Sequence, residues 1–129
     1  MAFFYDTVTP VDYRVEDVLE KLEQHDLADD TIVFFWADHG SGYSRARTHA
    51  YDDGLRIPLI AGFPEKYQHL APGLPGTVMD YLVMHMDLEP STLSLAGIPG
   101  PEHSQGRVLF GPQKGQPRDV CMQRQRSSG

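Results

Sequence analysis

Apolar side chains in the first part of the chain recur every three or four residues, which is typical of one face of an α-helix. They are Val11, Val15, Val18, Leu19 and Leu22, and charged or amide side chains fill most positions between them. Thr9 is a suitable N-cap, and Pro10 fits the first helical position because no N–H donor is needed there. The pattern predicts an amphipathic helix over residues 10–26.

Two apolar runs after this helix predict strands. Residues 31–37, Thr-Ile-Val-Phe-Phe-Trp-Ala, are mostly β-branched and aromatic. Because they are apolar on both faces, we expect a strand inside a sheet that is covered on two sides. Residues 56–61 form a shorter run, in which Pro58 favours an edge strand or a strand that begins there. Residues 63–77 are rich in proline and glycine and are expected to form a loop.

A second helix is predicted from Asp87, as its N-cap, to Ala96. Pro90 would lie in the first turn, where proline is tolerated, and Gly97 is placed to end the helix. The order helix, strand, strand, helix predicts an α/β architecture, with a mostly parallel or mixed sheet flanked by helices.

Charge divides the chain into two parts. Residues 1–98 carry 6 basic and 16 acidic side chains, whereas residues 99–129 carry 5 basic and 2 acidic ones together with four prolines and five glycines. We therefore expect one α/β domain over residues 1–98 and a loosely structured extension of the same domain over residues 99–129. The net charge of −7 argues against nucleic acid or an anionic membrane as a partner.

Neither a membrane span nor an export signal is expected from the sequence. The longest apolar run, residues 32–37, is too short to cross a bilayer, and residues 1–6 lack the basic start of a signal peptide. The single cysteine, Cys121, excludes an internal disulfide, and the compartment is left open.

The most informative polar residues follow the first predicted strand. Asp38 and His39 come directly after it, and ligands of open α/β sheets bind beyond the carboxyl ends of strands. A carboxylate and an imidazole side by side can bind one divalent cation. From the pair alone, an ordinary turn capped by Asp38 is the favoured interpretation, because a metal site needs about four or more ligands.

Three further polar side chains follow this turn, namely Arg45, Arg47 and His49. Cationic donors near a metal suit a small tetrahedral anion such as sulfate or phosphate. A solvated basic loop is the alternative interpretation.

Taken in order along the chain, these segments resemble the sulfatase family, a branch of the alkaline phosphatase-like superfamily, from about Asp6 to Arg126. Residues 27–40 are similar to the family's strand and metal-binding turn, residues 51–60 to its next strand, residues 87–98 to the following helix and residues 105–107 to a later turn. Residues 63–72 resemble arylsulfatase-like bacterial enzymes of the heparan N-sulfatase type. The resemblance implies a partial alkaline phosphatase-like sulfatase fold.

The same resemblance implies an intact enzyme that hydrolyses sulfate esters or sulfamates of a sulfated small molecule or glycan. Such enzymes use a formylglycine made from Cys or Ser and a divalent cation, usually calcium, and are often periplasmic, secreted or lysosomal. Carried over to this sequence, Asp38 and His39 are expected to bind the metal, and Arg45 and His49 to contact the substrate. Arg47 takes the place of the family's active-site lysine. An arginine can hold sulfate by two hydrogen bonds, but it is a poor proton donor because it stays protonated.

Two features of the family pattern are absent from the 129 residues. The formylglycine signature, Cys or Ser followed by x-Pro-x-Arg, does not occur, and the family's amino-terminal aspartate pair has no counterpart. We therefore expect a carboxyl-side part of a sulfatase catalytic domain that is inactive alone. The strand over residues 31–37 would then have an open edge, which predicts marginal stability or self-association. Two alternatives stay open: a fragment of a phosphodiesterase or phosphonate hydrolase of the same superfamily, and a non-catalytic remnant.

Overall fold

The computed structural model describes residues 2–40, 52–116 and 118. Within them lie the elements α1 (Ala2–Gln24), β1 (Val33–Trp36), α2 (Asp52–Leu55), β2 (Leu59–Gly62) and α3 (Leu88–Leu95). Short 3-10 turns lie at Ala28–Asp30, Glu65–Leu70 and His85–Asp87. The predicted order of helix, strand, strand and helix is present, with α2 and the 3-10 turns added to it.

Helix α1 begins at Ala2 rather than at Pro10, so the predicted start is wrong. Pro10 lies inside the helix, and Thr9 is not its N-cap. The spacing of apolar residues continues upstream through Val8 and Phe4. The helix continues through Pro10 although a proline in a helix interior costs roughly 3 kcal/mol, and Val8, Val11 and Val18 stay about half exposed along it.

Helices α1 and α3 end in the same way. Asp26 and Gly97 have positive φ angles of 56° and 71°. In each case the next residue donates its N–H to the carbonyl five residues back, at 2.8 and 2.9 Å. This is a Schellman ending, and it confirms that Gly97 terminates α3.

Among the described residues, no helix is both long enough and apolar enough to cross a membrane.

Strands β1 and β2 form a two-stranded antiparallel sheet, in which Val33 pairs with Gly62 and Trp36 with Leu59. This pair does not form the mostly parallel or mixed sheet expected from the sequence. The two strands pair in opposite directions, and the apolar pattern that predicts each strand does not encode the direction in which it pairs. Pro58 lies just before β2, as predicted for a strand that begins there.

One face of this sheet is packed around Phe34, although Trp36 on the same face keeps 49% of its accessible surface, and the other face is open. On the packed face, Phe34 lies against Phe63 and the buried Phe110, with ring centroids 6.4 and 5.4 Å away. On the opposite face, Phe35 and its cross-strand partner Ile60 are exposed, and Ile60 keeps 61% of its accessible surface. The expectation of a strand covered on both sides is therefore wrong for the described residues, which place an aromatic cluster against one face.

Helix α3 follows Asp87, which confirms the predicted N-cap position. Its buried face is mostly polar: Asp87, Ser91 and Ser94 are fully buried at helical spacing, and Pro90 is buried beside them. The chain after α3 uses this face: Leu109 N–H donates to Ser91 Oγ at 2.8 Å, and Gln113 N–H donates to Ser94 Oγ at 3.2 Å. Residues 99–116 form no helix or strand, but these bonds hold part of them against α3.

Asp87 joins three segments of the chain. Its carboxylate accepts the N–H of Met84 and the N–H of Arg107, each at 2.8 Å, and forms an ion pair with the guanidinium of Arg118. Ser91 Oγ donates to the carbonyl oxygen of Asp87. This group, below called the Asp87 cluster (Asp87, Ser91, Arg107 and Arg118), fastens the later residues to the start of α3.

Candidate functional site

The turn after β1 contains the two predicted metal ligands. Asp38, His39 and Gly40, below called the Asp38 turn, follow Ala37 at the carboxyl end of the strand. His39 N–H donates to Asp38 Oδ1 at 2.9 Å, and Gly40 N–H donates to the carbonyl oxygen of Gly54 at 3.1 Å. These bonds hold the turn together and attach it to α2.

The imidazole of His39 has a defined orientation. Its Nδ1 lies 2.8 Å from the carbonyl oxygen of Gly40. A carbonyl can only accept a hydrogen bond, so Nδ1 carries a proton and donates it, and Nε2 of the neutral ring keeps its lone pair. That Nε2 lies 3.5 Å from Asp38 Oδ2. The turn therefore brings one imidazole lone pair and one carboxylate oxygen close together.

This separation is suitable for two ligands of one cation. Metal bonds to nitrogen and oxygen are about 2.0–2.6 Å long, so two ligands at nearly right angles lie roughly 3–3.6 Å apart. The same distance suits a weak ion pair when the ring is protonated. The side chain of Asp38 is 85% exposed and that of His39 37%, so a cation can reach both from solvent.

The Asp38 turn supplies only part of a metal site. Among the described residues, no group of three or more His, Cys, Asp or Glu side chains could hold a metal ion. The other predicted site residues, Arg45, Arg47 and His49, lie outside the described residues, and their roles stay predictions. A carboxylate with an imidazole nonetheless fits a divalent cation as two of the four or more ligands it needs.

One residue beside this turn, His85, was not predicted from the sequence. His85 Nε2 donates a hydrogen bond to the carbonyl oxygen of Ala37 at 2.9 Å. The two residues are 48 positions apart in the sequence, and His85 begins the 3-10 turn before α3. The contact depends on how distant segments pack, so the only local signal was a lone histidine near a predicted N-cap.

The second carboxylate near the site, Asp87, has a different environment. Its side chain does not cap α3 but accepts the hydrogen bonds of the Asp87 cluster. Burial raises the pKa of this carboxyl, but the hydrogen bonds from Arg118, Arg107 and Met84 outweigh it, and the pKa lies below its ordinary value. Asp87 is therefore a charged structural group that is closed to solvent.

Comparison with known proteins identifies relatives over most of the chain. Residues 1–98 match the family model described as Sulfatase. The chain is 33% identical over 114 residues to an ulvan-active sulfatase of Formosa agariphila, an alignment that covers 88% of this chain and 18% of the relative. It is 33% identical over 104 residues to the N-sulphoglucosamine sulphohydrolase of Homo sapiens, with 81% and 20% covered. It is 32% identical over 114 residues to an endo-4-O-sulfatase of Bacteroides thetaiotaomicron, with 83% and 21% covered.

The chain thus spans about a fifth of the length of these curated relatives. No solved structure matches it. The matched residues include α1, the β1–β2 sheet, the Asp38 turn and α3. Proteins of this family generally use a divalent metal and a formylglycine, and the family match implies an alkaline phosphatase-like fold. Because the family model covers residues 1–98 and the relatives are named as sulfatases or as a sulphohydrolase, the chain belongs to the sulfatase family.

Proposed function

We propose that the chain is part of a sulfatase catalytic domain that hydrolyses sulfate esters or sulfamates, and that Asp38 and His39 supply two ligands to its divalent cation. One observation carries this proposal. Asp38 Oδ2 and His39 Nε2 lie 3.5 Å apart at the carboxyl end of β1, while His39 Nδ1 already donates to Gly40. A ligating histidine needs its second nitrogen held in this way.

The cation, when bound, neutralises negative charge on the oxygens of the sulfate group. Calcium is the cation expected from the family resemblance, and the carboxylate of Asp38 is the ligand type that calcium prefers. The imidazole of His39 also suits zinc, and a carboxylate also suits manganese. The contribution of this chain is to hold both ligands in one orientation.

The proposal also gives substrate-binding roles to three further residues, Arg45, Arg47 and His49. We assign Arg45 and His49 to binding the sulfated small molecule or glycan. Arg47, at the position of the family's lysine, is proposed to hold the sulfate through two parallel N–H bonds. Since its guanidinium stays protonated, protonation of the leaving group has to fall on another residue.

We also propose that the 129 residues are catalytically incomplete by themselves. They lack the formylglycine signature, and the Asp38 turn offers two ligands where four or more are needed. In the whole domain the β1–β2 pair would belong to a larger, mostly parallel or mixed sheet, and the helices that flank that sheet would cover Phe35 and Ile60. While that face stays open, its apolar surface favours self-association of the chain.

Calorimetric titration tests the metal proposal. Calcium, manganese and zinc are titrated separately into the wild-type chain, Asp38→Ala and Asp29→Ala. Asp29 is the matched control, because it is an exposed carboxylate before the opposite end of β1. We expect weak binding by the wild type, a loss of roughly tenfold or more in Asp38→Ala, and no change in Asp29→Ala.

Two results would contradict the proposal. Equal affinities of the wild type and Asp38→Ala, or no binding by the wild type, would remove Asp38 and His39 as ligands. Turnover of p-nitrophenyl sulfate by the isolated chain would show that the residues present are sufficient for catalysis.

A further inference from the structure

We infer that His85 is a positioning residue for the Asp38 turn: its imidazole holds the carbonyl oxygen of Ala37 and thereby sets the orientation of Asp38 and His39. This inference rests on the proposed cation site and adds a residue to it. It is carried by a contact that joins two otherwise separate parts of the chain, the 2.9 Å hydrogen bond from His85 Nε2 to Ala37.

The geometry of the peptide group explains how His85 acts. The carbonyl of Ala37 and the N–H and Cα of Asp38 lie in one plane, because the peptide bond does not rotate freely. A donor that fixes this carbonyl therefore fixes the plane from which the side chain of Asp38 projects. On its other side the turn is attached by the bond from Gly40 N–H to Gly54. The two bonds hold the turn at both ends.

His85 itself is held by the Asp87 cluster. It lies two residues before Asp87, in the 3-10 turn whose preceding residue, Met84, donates its N–H to the Asp87 carboxylate at 2.8 Å. Arg107 and Arg118 donate to the same carboxylate. The backbone that carries His85 is therefore attached to buried groups, although the imidazole is exposed. A well-anchored backbone is what a positioning residue requires.

Nuclear magnetic resonance of the labelled chain tests the inference through two readouts. The first is the set of amide shifts of Asp38, His39 and Gly40 without metal. The second is line broadening of His39 signals on titration with manganese(II), which detects weak binding without any activity. The variants are His85→Ala, His85→Gln, whose side-chain amide can still donate at similar reach, and His69→Ala as a control at another exposed histidine.

We expect His85→Ala to shift the amide signals of the Asp38 turn and to weaken manganese binding roughly tenfold. His85→Gln should restore both readouts, and His69→Ala should change neither. Should His85→Ala fail to fold, His85→Asn replaces it, because its shorter side chain keeps an amide but cannot reach Ala37.

The inference is overturned when loss of the donor leaves the amide shifts of the turn unchanged, or when His85→Gln behaves like His85→Ala. The proposed function fails in a different way, with no broadening at His39 in the wild-type chain. In that case the metal-free amide shifts alone decide whether His85 positions the turn.

Discussion

Two aspartates, Asp38 and Asp87, show how one side chain serves opposite purposes in two regions of this molecule. Asp38 is 85% exposed and lies beside His39, with oxygens that solvent can reach. Asp87 is completely buried, and donors from three segments occupy both of its oxygens. A carboxylate that is saturated by fixed donors stabilises the fold, whereas an accessible one is free to bind a cation. The difference predicts that mutation will separate stability from binding.

The largest expected effect is that of Asp87→Ala on stability. This substitution removes the carboxylate that accepts from the backbone N–H groups of Met84 and Arg107 and pairs with Arg118, which keeps its bond to the carbonyl oxygen of Gln105. Removing one partner of a buried ion pair costs about 3–5 kcal/mol. Unfolding in urea can be monitored by the fluorescence of the single tryptophan, Trp36. We expect the urea midpoint of Asp87→Ala to fall sharply, or the variant to be unfolded already in buffer.

Asp38→Ala is the matched control, and it should change the free energy of unfolding by less than about 0.5 kcal/mol while it weakens cation binding roughly tenfold or more. The free energy of unfolding of Asp87→Asn should lie between those of Asp87→Ala and Asp38→Ala, since an amide oxygen can still accept a hydrogen bond. A stable Asp87→Ala chain, or an Asp38→Ala chain that unfolds, would break the distinction between the two aspartates.

Next in size is the effect of the aromatic cluster that packs β1 against the later residues. Phe110 is 5% exposed and contacts both Phe34 and Phe63. We expect Phe110→Ala to lower the free energy of unfolding by about 3 kcal/mol, from lost burial and the remaining cavity. Ile60→Ala, on the open face of the same sheet, should cost less than about 1 kcal/mol. Similar losses in both variants would mean that the open face is covered in solution, and self-association should then be measured by sedimentation.

A smaller effect is expected on lowering the pH. The pKa of Asp87 in the folded chain lies below its ordinary value of about 3.9. The folded state therefore holds fewer protons than the unfolded state near this pH, and the stability due to Asp87 is complete above about pH 5. It is lost as the pH falls through the lowered pKa. The urea midpoint between pH 6 and 3 should decline in the wild type and decline less in Asp87→Asn.

Features that depend on local backbone chemistry were predictable from the sequence. Gly97 at the end of α3 and Pro58 before β2 follow from the dihedral angles and donors of a single residue. The N-cap position of Asp87 was predicted as well, but its carboxylate accepts hydrogen bonds from other segments instead of capping α3. The start of α1 was not predictable in this way, because Pro10 is typical of a first helical position and the helix nevertheless continues through it. The antiparallel pairing of β1 with β2 is set by contacts between distant segments, which periodicity does not encode.

Some residues of the candidate site could also be predicted from the sequence, and others could not. Asp38 and His39 are adjacent in the sequence, so their proximity at the end of a predicted strand could be inferred from position alone. His85 is 48 residues from Ala37, and Arg118 is 31 residues from Asp87. Such partners become visible only when the chain is folded. The spacing of Asp87, Ser91 and Ser94 did carry a signal, since three small or acidic side chains on one helix face indicate a surface that other backbone can approach.

The smallest expected effect concerns the exposed ion pair of Lys66 with Asp30, which sharpens the contrast with the buried pair of Asp87. The hydrogen bond from Lys66 lowers the pKa of Asp30, and the same bond raises the pKa of Lys66. Both side chains are more than half exposed, so solvent and salt screen their attraction. Lys66→Ala should leave the urea midpoint nearly unchanged, with a difference that vanishes at high salt. Because burial removes this screening, the loss of stability in Asp87→Ala should persist at the same salt concentration. If salt abolished that loss, the ion pair of Asp87 would be as weak and as screened as that of Asp30.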